Sequence, residues 1–130
     1  MKNDVILYLP WPPTVNSYYG TTARGIKYVT KGGRVFREHV EKEIHEQGVS
    51  LNIDFRIYCE IVLFPPDRRT RDLDNYMKAL LDACSIAKLW EDDKLIDQLV
   101  IYRGAVTKQG SVRMRLAEAG PIIPLNHVGF

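Results

Sequence analysis

The clearest periodicity in the chain lies between Asp54 and Leu63. Phe55, Ile57, Cys59, Ile61 and Leu63 alternate there with Asp54, Arg56, Tyr58, Glu60 and Val62. A repeat of two is that of a strand with one buried face, and Pro65-Pro66 ends it because proline has no N–H for a ladder. Val5 to Leu9 reads as a shorter strand, stopped by the rigid Pro10-Trp11-Pro12-Pro13 turn. Val35, Phe36, Val40 and Ile44 fall at helical spacing and predict an amphipathic helix over Arg34 to Gln47, with Gly48 as its stop. A second helix is expected from Asp74 or Asn75, either a good N-cap, to about Lys88. Its apolar stripe is Met77, Leu80, Leu81, Cys84 and Ala87.

The segments between these are shorter. Asn16 to Gly25 is polar and reads as a loop, Ile26 to Thr30 as a short strand and Lys31-Gly32-Gly33 as a turn. Asp67 to Leu73 is a charged loop, and Leu89 to Lys94 an acidic turn around Trp90. Gln98 to Val106 and Ser111 to Ala117 read as the arms of a hairpin about Thr107-Lys108-Gln109-Gly110. In its second arm Val112, Met114 and Leu116 face inward while Arg113 and Arg115 face out. This order predicts a single α+β domain, a mostly antiparallel sheet with two main helices packed on it. Residues 1–119 would form that domain. Residues 120–130, with two prolines and no period, would be an extension over the surface or onto a partner.

Composition narrows the class. With 130 residues, 45% hydrophobic and 26% charged, the chain suits one folded domain and argues against disorder. Cys59 and Cys84 both fall on apolar faces, as small core residues do, and fit a reducing cytoplasmic setting. The short apolar run near the start is broken by prolines and does not read as a secretory signal, and no later stretch is long enough to span a bilayer, so no membrane role is expected.

The net charge of +2 predicts little, but its distribution says more. Arg24, Lys27, Lys31, Arg34, Arg37 and Lys42 face only Glu38 and Glu41 in their segment, and Tyr102 to Arg115 holds four bases and no acid. Eight of the sixteen acids lie between Asp67 and Asp97. Basic flanks around an acidic centre suit a protein that grips a polyanion and holds a cation, although a mixed, solvated surface also fits.

The acids gather around RDLDNYMKALLDA, residues 71–83. Asp72 and Asp74 are two apart, so in extended backbone they point the same way, and Lys78 follows Asp74 by one helical turn. Glu91-Asp92-Asp93 comes only after the intervening helix, which at about fourteen residues spans roughly 21 Å. That cluster meets Asp72 only if the chain doubles back after Trp90 or if a second subunit supplies it. Converging carboxylates without histidine or cysteine form an oxygen-only site, which prefers Mg²⁺ or Mn²⁺ to zinc. Such an ion can activate water and polarise a phosphodiester, with Lys78 orienting the water or offsetting charge and arginines holding phosphates. The spacing by itself fits a helix cap beside a solvated loop at least as well.

Other chemistries find little support. His39, His45 and His127 have no metal-ligand spacing, and no G-x-S-x-G, Walker-type or G-x-G-x-x-G motif is present, so no nucleotide cofactor is expected. Glu91 to Asp97 lacks the glycine and terminal glutamate of an EF-hand loop. Trp11, Tyr18 and Tyr19 could stack on bases or fill core and interface.

LPWPPTVNSYY, PPDRRTRDLDNYMKALLDA and LWEDDKLID together resemble the RusA family of Holliday junction resolvases, encoded by bacteria, prophages and phages, over about Val5 to Ala117. The resemblance implies that Asp72, Asp74 and Asp93 are metal-binding catalytic acids, that Lys78 is the essential lysine and that Asp92 supports the site from beside it. It implies a homodimer that cuts two opposing strands of a four-way junction symmetrically, with Mg²⁺, and a fold that brings Asp93 back to Asp72 and Asp74. Charge and position nominate Arg68, Arg69, Arg71, Lys108, Arg113 and Arg115 as DNA contacts. Three rival readings remain open: a branched-DNA-binding module that no longer cleaves, a metal nuclease for another branched or single-stranded substrate, and a plain interaction domain.

Overall fold

The computed structural model describes residues 4–49 and 52–127, the side chain of His127 excepted. In chain order the elements are β1 (Val5–Pro10), α1 (Val15–Tyr18), β2 (Tyr19–Thr21), β3 (Lys27–Val29), α2 (Lys31–Glu46), β4 (Ile57–Phe64), α3 (Met77–Ile86), β5 (Ile96–Arg103) and β6 (Ser111–Glu118). Short 3₁₀ turns at Leu73–Tyr76, Asp93–Leu95 and Leu125–His127 complete the path. The α+β expectation is met by a four-stranded sheet in the order β1-β6-β4-β5 and a separate two-stranded ribbon, β2-β3.

Central strand β4 carries the predicted alternation, and Ile57, Cys59, Ile61 and Leu63 are all buried beneath the helices. Phe36, Val40 and Ile44 of α2 and Leu80, Ala83 and Cys84 of α3 complete that core. Both cysteines lie inside it, and burial pushes the Cys59 thiol up to about 12. Trp90 also turns inward, donating its indole N–H to Ser85 Oγ at 2.7 Å, so the acidic turn hangs from a buried anchor.

The expected hairpin of the last two strands does not form. β4 lies between them, antiparallel to β6 and parallel to β5. Periodicity could not distinguish the two arrangements, because each strand keeps the same buried face in either. The link from β5 to β6 instead passes over the end of β4, where Gly104 N–H donates to Leu63 O at 2.8 Å and Thr107 N–H to Pro65 O at 2.9 Å. A parallel β4-β5 pair needs a crossover, and α3 provides it. The sheet remains mostly antiparallel, since β1 and β4 both run against β6.

Two local expectations also change. Asn16 to Gly25 is not a loop throughout: α1 begins just before it and leads straight into β2. Lys31-Gly32-Gly33 is the first turn of α2, capped by Thr30, whose side chain accepts from Gly33 N–H at 3.0 Å. Gly33 is required for close approach, since a Cβ there would meet Tyr18 O at 2.8 Å. The second main helix starts as a 3₁₀ turn with Asp72 at the cap position, not Asp74 or Asn75, and no side chain caps it. It ends at Ile86, short of Lys88, which takes the left-handed φ of 63° while Leu89 N–H reaches back to Cys84 O at 3.1 Å.

Candidate active site

The loop from Pro65 to Asp72 leaves the end of β4 and is stiffened by its own charges. Arg71 donates to Asp67 Oδ1 at 2.7 Å, and Arg69 N–H donates to the same oxygen at 2.9 Å. These bonds, Arg71 foremost, hold the Asp67 carboxyl far below its ordinary range. Arg71 also reaches Arg69 O at 3.2 Å, and its side chain is only 9% exposed. Its guanidinium lies 5.7 Å from the Trp11 ring centre, and Trp11 in turn packs on Tyr76 with centroids 4.8 Å apart. The Pro-Trp-Pro-Pro turn is thus the wall of this loop. From the other side, Arg103 at the end of β5 donates to Arg71 O at 3.0 Å.

The next residues differ in kind. Asp72 and Asp74 are exposed, as is Lys78 on the first turn of α3. Among the described residues, none of these three side chains makes a hydrogen bond or an ion pair. Two free carboxylates and a free ammonium therefore stand where the 3₁₀ turn passes into α3, while the neighbouring arginine is committed to Asp67. The donors are all oxygens, the chemistry that fits Mg²⁺ or Mn²⁺.

Asp93 is exposed at the start of the 3₁₀ turn that precedes β5, and Asp92 caps that turn by accepting from Lys94 N–H at 2.8 Å. That bond lowers the Asp92 carboxyl. Asp93 enters β5 three residues before Ile96, whereas Arg71 is tied to Arg103 at the far end of the same strand. At ~3.3 Å per residue those two ends are about 23 Å apart. The fold therefore does not bring Asp93 back to Asp72 and Asp74 within one protomer: α3 runs antiparallel to β4 and β5 and delivers the chain to the opposite end of the strands. Consistent with this, no three His, Cys, Asp or Glu side chains among the described residues are grouped so as to hold a metal ion.

The nominated bases divide. Arg68 and Arg69 are exposed on the acid loop, and exposed Lys108 sits in the link that crosses over it. Arg113 is half-buried on the open face of the sheet. Arg115, on that same face, is committed to Glu60 at 2.6 Å and to Asp4, and stands over the Tyr58 ring at 5.2 Å. Arg71 is the loop's internal strut. Of the aromatic candidates, Tyr18 is fully buried and Trp11 supports Arg71. His39 and His45 are exposed on α2, and the side chain of His127 lies outside the described residues.

One cluster escaped the sequence reading. Arg37 of α2 donates from Nε to Tyr18 Oη at 2.6 Å and from Nη2 to Asp82 Oδ2 at 2.7 Å, and the Tyr18 hydroxyl donates to that same carboxylate oxygen. Burial first, then Asp82, pushes the Tyr18 phenol well above its ordinary value. The available signal was Asp82 itself, the sole charge between Ala79 and Ala87.

Residues 10–116 match the family described as Endodeoxyribonuclease RusA. The chain is 35% identical over 122 residues to the Crossover junction endodeoxyribonuclease RusA of Escherichia coli strain K12, covering 91% of this chain and 98% of that protein. The proteins of the same name from Shigella sonnei and Enterobacteria phage 82 are each 34% identical over the same shares.

Proposed function

The chain belongs to the RusA family of endodeoxyribonucleases, and from that premise we propose that it hydrolyses phosphodiesters at four-way DNA junctions with Mg²⁺. The observation that carries this reading is the unpaired trio Asp72, Asp74 and Lys78 beside a loop whose own arginine is already satisfied. Asp72 and Asp74 would hold the ion, and the ion when bound supplies an activated water and an electrophile for the phosphate. Lys78 is placed to offset charge developing on the phosphate. Arg68, Arg69 and Lys108 grip the flanking backbone, Arg113 extends the basic surface across the sheet, and Arg71 and Arg115 hold the surface in shape.

The separation of Asp93 from Asp72 supports a homodimer with a shared site, in which the partner's Asp93 would complete the ligand set and Asp92 would fix its turn. Among the described residues β5 is an edge strand of the sheet, which suits this assembly. Two copies of β5 paired antiparallel across a two-fold axis would set the start of each, with its Asp93, beside the end of the other, where Arg103 holds the Asp72 loop. Two equivalent sites match the paired cuts a junction needs.

The primary test compares a synthetic mobile four-way junction with a matched linear duplex, with and without Mg²⁺, and maps the cuts. Symmetric paired nicks in the junction alone, only with metal, are expected; equal cutting of the duplex overturns the junction assignment. Sharing of the site has its own test. Asp74→Asn and Asp93→Asn proteins, each inactive alone, should regain nicking when mixed, because one of the two sites in the mixed dimer is intact. A site built within one protomer would stay dead in the mixture.

A further inference from the structure

The β2-β3 ribbon belongs to neither layer of the domain. Among the described residues it pairs with no other strand, and Thr21 to Tyr28 are exposed without interruption. It is nevertheless ordered. Tyr19, Gly20 and Thr21 pair with Val29, Tyr28 and Lys27, and the tip is closed by Gly25 N–H to Thr22 O at 2.9 Å and Ile26 N–H to Thr22 Oγ1 at 3.1 Å. Gly25 takes the φ of +82° that this turn requires.

The ribbon is also basic without compensation. No acid occurs between Asp4 and Glu38, while Arg24, Lys27, Lys31 and Arg34 lie on the ribbon and the first turn of α2, all exposed. Arg34 is bonded only to Val29 O, at 3.0 Å, and Lys27 sits 4.1 Å over the Tyr19 ring, so neither is neutralised by a carboxylate. Elsewhere the molecule commits Arg37, Arg56, Arg71 and Arg115 to acids. The base of the ribbon is fixed to the candidate site: Tyr18, immediately before β2, is bound through Asp82 to α3, one turn beyond Lys78.

We infer that this ribbon is a DNA-gripping arm, with Arg24 and Lys27 on phosphates of the duplex arm beside the cut and Lys31 and Arg34 continuing the track towards the domain. An isolated, ordered ribbon with two uncompensated bases, continued by two more on the first turn of α2, fits a polyanion better than an apolar or acidic partner. Anchoring to α3 gives it a fixed bearing on Lys78, so gripping an arm also sets which phosphate reaches Asp72 and Asp74. The inference rests on the endonuclease reading.

The test measures binding of the full-length protein to a four-way junction without divalent metal, over a range of salt. The Arg24→Gln/Lys27→Gln double variant should bind about 10-fold more weakly at moderate salt, with the log–log salt slope shallower by about 1.8, the loss of two phosphate contacts. Lys42→Gln removes one exposed base from α2, well away from the ribbon, and should change neither the affinity nor, as a check on folding, the melting temperature. A double variant with wild-type affinity and slope overturns the arm, as does an equal loss in Lys42→Gln, which would mean that only overall charge matters. A wild-type protein that binds no DNA at all removes the endonuclease reading and the arm together, an outcome distinct from the first two.

Discussion

Two polar trios meet along the rod formed by the 3₁₀ turn and α3, one of them only through Asp82, and they are built on opposite terms. Tyr18, Arg37 and Asp82 are linked pairwise: one carboxylate oxygen receives both the phenol and the guanidinium, and the guanidinium also donates to the phenol. Asp72, Asp74 and Lys78 stand between one and three turns earlier with no partner among the described residues. Burial explains the first group, because a half-buried charge left unmatched destabilises a fold, and Arg37 and Asp82 are each only about a quarter exposed. Exposure explains why the second is tolerated, since water screens its repulsion. It does not explain why Arg71, next in sequence to Asp72, bends away to Asp67. A fold that satisfies one trio and leaves the other open has separated the charges that hold it together from those proposed above to meet the ion and the phosphate.

The sharpest way to break this contrast is to neutralise one acid from each side. Asp74→Asn should lower junction cleavage by at least about 100-fold, since even residues that only support metal ligands cost ~10–100-fold when removed. Stability should stay within ~0.5 kcal/mol, the range for a surface substitution. Single-turnover cleavage together with a urea melt reads both. Lys78→Gln should follow with a loss of roughly 10²–10³-fold in kcat and little change in junction affinity, because the interaction is made with charge that develops only during reaction. Weakened binding with an unchanged rate would make Lys78 a phosphate anchor instead.

Asp82→Asn should invert the pattern. It removes the charge that Arg37 faces and weakens the acceptor for Tyr18, and the expected cost is ~1–3 kcal/mol of folding free energy. At a temperature where the variant is folded, its cleavage should fall far less than that of Asp74→Asn, because it loosens only the root of the ribbon and removes no metal ligand. Lost cleavage with unchanged stability would move Asp82 into the catalytic group and dissolve the distinction between the trios.

How much of this the sequence could disclose follows from what each signal measures. Alternation in β4 and the helical stripe of α3 located those elements because periodicity reports which face is buried. It is blind to partners, and so the β5-β6 hairpin was expected where β4 intervenes. Glycines at Gly32 and Gly33 read as a turn because composition cannot tell conformational freedom from close packing against Tyr18. The site divides in the same way. The block around Asp72, Asp74 and Lys78 stands out as a candidate because its residues are close in sequence. The distance to Asp93 was estimated from helix length, but the direction of the return was set by a parallel strand pairing that no spacing encodes. Tyr18 and Arg37 stand far from Asp82 in sequence, and only packing joins them.

The smallest expected effect concerns the phenol. Tyr18 titrates above its ordinary value of 10 in the folded protein, because burial and the adjacent Asp82 carboxylate both oppose a phenolate. Above the unfolded value the native state therefore holds a proton that the unfolded chain has lost, and stability falls as pH rises. The contribution is complete below pH 10 and is lost as the pH climbs through the raised native value. Tyr18→Phe keeps the ring and deletes the proton, so it should cost about 1 kcal/mol at neutral pH and flatten the alkaline decline. Tyr19 and Tyr58 are also shifted upward, but they occur in both proteins and cancel in the difference. Urea denaturation of wild type and variant between about pH 9 and 11 isolates that difference. Parallel curves would mean that neither burial nor Asp82 holds the Tyr18 proton, and the ribbon would then lack this fixed root.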